Sequence, residues 1–192
     1  MEESGAIAAR IRDALLRRRP VVLRRFLDAD LLRLLIRILS DASFVPSNID
    51  DVGARTIEAP GHAGDALCLA LGRPEVLRFM ESLVGDARLT EVAGAVAQFG
   101  AASGDRLGWH DDRVEPRRKL AITINLGTVG YQGGVFEFRD LQSDAPTFRH
   151  VHSEPGEALL FPIGAGLQHR LLPVTAGGPR TVFAGWFLGD AN

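Results

Sequence analysis

The residues that promise chemistry lie in Leu107-Gly-Trp-His-Asp-Asp-Arg113, and they make sense only together with His169 and Arg180 downstream. His110 and Asp112 are two positions apart, so on an extended strand both side chains share one face and Asp111 takes the other. A second histidine brought in from a distant strand completes a set of two imidazoles and one carboxylate. Such a set binds three corners of an octahedral Fe(II) and leaves three positions open. The expected metal ligands are therefore His110, Asp112 and His169, with Arg180 holding a cosubstrate. Asp111 is the competitor for the carboxylate position, and a bulge at that point would reverse the choice. Arg180 offers a planar fork that pairs bidentately with a carboxylate, a geometry lysine lacks. If residues 169–173 and 181–187 are antiparallel neighbours, Arg180 points into the same mouth, deeper than the metal.

Elements must bring these residues together. From residue 88 onward, short apolar segments alternate with glycine-rich turns: 89–99, 119–126, 135–138, 148–152, 158–161, 168–172 and 181–187. Evenly spaced strands without intervening helices predict a sandwich, barrel or jelly roll. The N-terminal part reads differently. Residues 6–18 carry Ile7, Ile11, Leu15 and Leu16 at helical spacing, with Pro20 as the stop. Val21–Leu23 reads as a strand, and Asp28 as the N-cap of a helix over 29–39. Residues 41–66 read as loop with one strand near 54–59, a candidate substrate lid. Leu67–Leu71 is ambiguous in type. A further helix starts at Arg73-Pro74-Glu75 and closes at Gly85-Asp86. The expectation is a mainly β (α+β) single domain spanning 1–192, with a support region over 1–87 packed outside a β core over 88–190.

Composition sets bounds. The chain has 192 residues, 46% apolar and 24% charged, which suits one globular core and argues against disorder. The net charge of −2 gives no global field for nucleic acid or an anionic membrane, so neither is expected as a partner. One cysteine, Cys68, allows no intrachain disulfide and fits a cytoplasmic location. The acidic first residues are unlike a secretory leader, and no apolar run reaches a membrane span.

The ordered series Gly104-Asp105-x-Leu107-x-Trp109-His110-x-Asp112, Gly133-Gly134-x-Phe136-x-Phe138, Gly156-Glu157-x-Leu159-x-Phe161-Pro162 and His169-x3-Pro173-Val174-x5-Arg180-x5-Trp186 resembles the iron(II)/2-oxoglutarate-dependent dioxygenases. The resemblance covers about residues 89–188 and is greatest to the prolyl-4-hydroxylase-like branch. It implies a double-stranded β-helix (a cupin-like jelly roll) and Fe(II) on His110, Asp112 and His169. It further implies 2-oxoglutarate with its far carboxylate on Arg180, and O2 as the second cosubstrate. The implied reaction converts 2-oxoglutarate to succinate and CO2 while hydroxylating an unactivated C–H bond. The substrate would be a peptidyl residue, prolyl by default, or an amino-acid-like small molecule.

The chain departs from the family where a tyrosine hydroxyl often meets 2-oxoglutarate. Phe99 stands there, which leaves Thr123 or Asn125 as candidate donors. Val182 likewise stands where a small hydroxyl residue is common. The carboxylate ligand argues against halogenation, and Trp186 in place of a second arginine argues against nucleobase demethylation. These departures motivate an alternative, a catalytically lapsed jelly-roll module that binds metal or ligand. A zinc hydrolase is a further alternative, disfavoured because no general base stands near the triad. The remaining side chains read more blandly. His150 and His152 read as exposed strand face, with a second metal site as the other possibility. His62 and Arg117-Arg118-Lys119 read as solvated turns, and Trp109 and Trp186 as core.

Overall fold

The structure, a computed structural model, describes residues 2–190 other than 50, 86 and 165. In chain order the elements are α1 (Glu2–Leu16), β1 (Val21–Leu23), α2 (Ala29–Ser40), β2 (Ser43–Ile49), β3 (Gly53–Ala59), α3 (His62–Leu71) and α4 (Pro74–Val84). There follow β4 (Leu89–Phe99), β5 (Arg106–His110), β6 (Arg118–Asn125), β7 (Tyr131–Gly133), β8 (Phe136–Asp140) and β9 (Phe148–His150). The chain closes with β10 (Ala158–Pro162), β11 (Leu167–Leu171), β12 (Val174–Gly177) and β13 (Arg180–Gly189). The strands form a curled antiparallel sheet in the order β1-β10-β6-β13-β4-β3-β5-β11-β8-β9, with β2 paired on β3 and a separate β7-β12 ribbon. This is the jelly roll that the resemblance implied, one of the three architectures the strand spacing left open, with the helices outside.

Period-two alternation decides what faces where. On β6, Leu120, Ile122 and Ile124 pack outward against the helices, with Phe183, Phe187 and Val96 from neighbouring strands. The helices contribute Leu15, Leu35, Leu67, Met80 and Leu83 to that layer. The intervening residues of the same strands, among them Ala121, Val182, Ala97 and Leu159, face the inside of the roll. Each buried leucine in the outer layer stabilises the fold by about 2–5 kcal/mol relative to alanine.

Several expectations change. α1 stops at Leu16, before Pro20, because Arg18 takes a left-handed φ of 57°. The N–H groups of Arg18 and Arg19 then close the helix on the carbonyls of Leu15 and Ala14. Ile11 and Leu15 are buried, whereas Ile7 and Leu16 are exposed. Asp28 caps α2 as expected, accepting from the N–H groups of Asp30 (2.8 Å) and Leu31 (3.3 Å). The region 41–66 is a β2-β3 hairpin running into α3. Pro46 masked the first strand, but an edge position tolerates it because β2 pairs on one side only. α3 has no side-chain cap on Gly61; the buried Glu58 carboxylate on β3 accepts instead from Ala63 N (2.8 Å) and Gly64 N (3.0 Å). Asp86, expected to close α4 with Gly85, lies outside the described residues. β11 and β13 are not neighbours: β11 pairs with β5 and β8, and β13 with β4 and β6. Arg180 therefore approaches from the opposite wall of the roll. No helix among the described residues is long and apolar enough to cross a membrane.

Candidate metal and cosubstrate site

β5 and β11 pair with His110 directly opposite His169, so the two imidazoles meet inside the roll with ring centroids 4.2 Å apart. His110 Nδ1 lies 2.8 Å from the Gly108 carbonyl. Donation there leaves the Nε2 lone pair facing the cavity. His169 is buried among Phe136, Phe138 and Phe161, and burial pushes its pKa down to about 4, against the opposing pull of Asp112. The ring is thus neutral at pH 7, the form that ligates metal.

Asp112 stands two residues past the end of β5, so strand geometry alone does not place it. Trp186 does: its indole Nε1–H donates to Asp112 Oδ2 at 2.9 Å. Asp112 Oδ2 then lies 3.6 Å from His169 Nε2, and Oδ1 lies 3.9 Å from His110 Nε2. Arg118 adds a nitrogen 3.6 Å from Oδ1 and lies over the Trp186 ring at 3.8 Å. Asp111 turns away to Arg113, accepting from its backbone N (3.1 Å) and its guanidinium (2.9 Å). That hydrogen bonding holds the Asp111 pKa below the usual carboxylate value. One donor atom each from His110, Asp112 and His169 falls within a 4.8 Å span. Two imidazoles and a carboxylate, with no thiolate, fit an octahedral divalent iron.

The cavity beside this cluster has a volume of about 360 Å³, within the range of small-molecule sites. Ile49, Val52, Leu107 and Val114 line it, together with Thr123 and Ala184. On β13 the inward residues are Arg180, Val182, Ala184 and Trp186, so the arginine and the tryptophan occupy opposite ends of one strand face. Arg180 is 2% exposed, and its Nε and Nη2 are buried with no hydrogen-bond partner among the described residues. Burial lowers its pKa; the nearby Tyr131 hydroxyl opposes this. An isolated buried cation is costly, and a carboxylate presented to those two nitrogens would satisfy them. The site thus fits the distal end of 2-oxoglutarate.

Of the other expected residues, Thr123 lines the cavity, with its Oγ1 3.2 Å from His152 Nε2. Asn125 is buried, and its Oδ1 accepts from Gly127 N at 3.3 Å. The exposed reading of His150 and His152 is overturned. His152 is buried, and both rings reach Glu157 Oε1, at 2.7 Å from His150 Nε2 and 2.9 Å from His152 Nδ1. Desolvation and the field of Arg180 lower the His152 pKa to about 3. Glu157 is lowered to about 2 by its bonds from Ser153, His150 and His152, which outweigh its burial. Trp186, Arg118, Tyr131 and Arg55 were not anticipated in the site. Counting alternate positions from Arg180 reaches Trp186. Tyr131 is the chain's one tyrosine, but a glycine-rich segment hid its strand.

Comparison with known proteins agrees. Residues 94–188 match the sequence profile of the 2OG-Fe(II) oxygenase superfamily. The fold matches a prolyl-4-hydroxylase from Pseudomonas putida at 22% identity and a TM-score of 0.70, covering 96% of this chain and 100% of that one. It matches an oxidoreductase of the 2OG-Fe(II) oxygenase family from Burkholderia pseudomallei at 17% identity and a TM-score of 0.72, over 96% and 92% of the two chains. A prolyl hydroxylase from Trichoplax adhaerens, solved with a peptide fragment of the hypoxia inducible factor oxygen degradation domain, matches at 14% identity and a TM-score of 0.67, over 98% and 91%. No curated protein matches the chain in sequence. Residues 94–188 carry the sequence profile of the iron(II)/2-oxoglutarate-dependent oxygenases, and the chain has the fold of their prolyl-4-hydroxylase-like branch. It is a 2-oxoglutarate-dependent dioxygenase, with Fe(II), 2-oxoglutarate and O2 as its cofactor and cosubstrates.

Proposed function

We propose that the protein hydroxylates an unactivated C–H bond of an amino-acid-like small molecule or a peptidyl residue. His110, Asp112 and His169 hold the iron in this reading, and Arg180 takes the far carboxylate of 2-oxoglutarate. One observation carries it: the imidazole-carboxylate-imidazole cluster shares the interior of one roll with the buried Arg180, whose Nε and Nη2 lack hydrogen-bond partners among the described residues. Bound iron with 2-oxoglutarate and O2 supplies the oxidising power for C–H cleavage. The chain's own residues position and exclude. Gly108 fixes the His110 tautomer, and Trp186 fixes the Asp112 carboxylate. Tyr131, next to Arg180, supplies the hydroxyl that Phe99 cannot. Phe136, Phe138 and Phe161 wall His169 from water, which keeps the polar contacts strong. The whole chain, 1–192, acts as one domain in this reading, and its single free cysteine suits a cytoplasmic setting.

The experiment is anaerobic loading with Fe(II) and 2-oxoglutarate followed by air, with a substrate screen for a mass gain of one oxygen. Succinate formation coupled to that gain is expected. Arg180→Ala should weaken 2-oxoglutarate binding while keeping iron, and His169→Ala should lose iron. Absence of both succinate and 2-oxoglutarate affinity would leave the lapsed binding module standing instead.

A further inference from the structure

Arg55 on β3 has no role in the scheme above, yet its side chain lines the same cavity as the cluster. β3 runs between β4 and β5, and its inward positions are Gly53, opposite Leu107, then Arg55, then Ile57, opposite Ala97. Arg55 Nε is buried without a hydrogen-bond partner among the described residues. Desolvation by the surrounding walls lowers its pKa, with Asp112 opposing and Arg118 adding to the shift. A half-buried guanidinium that lines a cavity with one N–H unpaired is a ready partner for an anion.

The carboxylates lining the cavity are otherwise engaged. Asp111 is taken by Arg113. Asp112 accepts from Trp186, lies 3.6 Å from Arg118 and belongs to the ligand set. Once Asp112 donates to a divalent ion, its charge no longer serves Arg55. The distal carboxylate of 2-oxoglutarate is drawn to the other end of the β13 face, where Arg180 waits. The cavity that Arg55 lines also offers hydrocarbon walls, from Ile49, Val52, Leu107 and Val114.

Building on the oxygenase reading, we propose that Arg55 is the carboxylate anchor for the molecule to be oxidised, and that this substrate is a small carboxylic acid with an apolar body. The anchored carboxylate would hold the adjoining hydrocarbon against the apolar wall and in reach of the metal. The cavity that Arg55 lines, of about 360 Å³, suits a molecule of amino-acid size.

The test uses the full chain loaded with Zn²⁺, which blocks turnover, and 2-oxoglutarate. A panel of N-acetyl amino acids, each as free acid and as primary amide, is screened by ligand-observed NMR and titrated by calorimetry. Free acids should bind about 10- to 100-fold more tightly than their amides, as a charge-assisted bond requires. Arg55→Gln should erase that preference, and Arg55→Lys should restore part of it. The proposal is overturned if no acid binds, if acid and amide bind alike, or if the preference survives in Arg55→Gln. Binding confined to capped peptides with internal Asp or Glu would overturn the small-molecule assignment. Near-UV circular dichroism checks the variants' fold, and if they do not fold, the wild-type comparison of acid with amide decides. Because Zn²⁺ allows no turnover, a missing oxygenase activity would leave this result readable on its own.

Discussion

At the scale of single residues, the site depends on side chains that touch no iron themselves. Trp186 orients Asp112 through one hydrogen bond, and outer partners of this kind commonly change metal affinity about 10- to 100-fold. Trp186→Phe should therefore weaken iron retention by that order while preserving the fold, as read by metal titration beside circular dichroism. The interior titratable groups set a pH dependence. Burial holds His152 neutral down to about pH 3, whereas an unfolded histidine takes a proton near 6.5. Glu157 stays ionised down to about pH 2, below its usual 4.5. In both cases the unfolded chain binds more protons, so stability falls with acidification. The histidine part should be lost as pH drops below 6.5 toward 3, and the glutamate part from 4.5 toward 2. Thermal melts of metal-free protein across pH 7 to 4 should show this decline, with a shallower slope in His152→Gln.

At the scale of elements, most strands of the roll were legible because alternation and glycine-rich turns repeat from residue 89 onward, whereas the short β7 and β12 were not, because they sit in or beside glycine-rich segments. The helices were legible where a cap or a stop stood beside an apolar stripe, as at Asp28 and Pro74. β3 was legible near 54–59 but its partner β2 was not, because Pro46 and the neighbouring turn residues resemble loop chemistry, and only pairing on β3 makes that segment extended. α3 was ambiguous because its cap lies outside it: Glu58, on the preceding strand, bonds Ala63 N and Gly64 N. Glu58→Ala should consequently destabilise the fold by about 1–3 kcal/mol, a midpoint shift readable in urea titration. The meeting of His110, Asp112 and His169, and the inward position of Arg180, were readable from motif order. Arg118 and Trp186 were not, because a charge run and an aromatic carry no sign of the carboxylate they meet in space. The proposed neighbour relation of β11 and β13 failed for a related reason: strand order within a roll is set by crossovers, which local pattern does not encode.

At the scale of the whole molecule, β13 and β11 bring opposite walls of the roll to one interior, so ligands there bind only the folded chain. Ligand at 100 times its dissociation constant stabilises such a fold by about 2.7 kcal/mol. For a chain of this size, that corresponds to about 5–10 °C in melting midpoint. Scanning calorimetry with Mn²⁺ should show 2-oxoglutarate adding such a rise to the wild type and little to Arg180→Ala.

The hydrogen bond from the Trp186 indole to Asp112 also gives the molecule an optical property. Only two tryptophans are present, and Trp109 lies away from the cavity between the guanidinium groups of Arg139 and Arg170, at 4.4 and 4.5 Å. A paramagnetic ion on the Asp112 carboxylate would sit one side chain from the Trp186 ring. Emission excited near 295 nm should then dim as the ion arrives and recover on chelation, so the protein reports its own loading state without a dye.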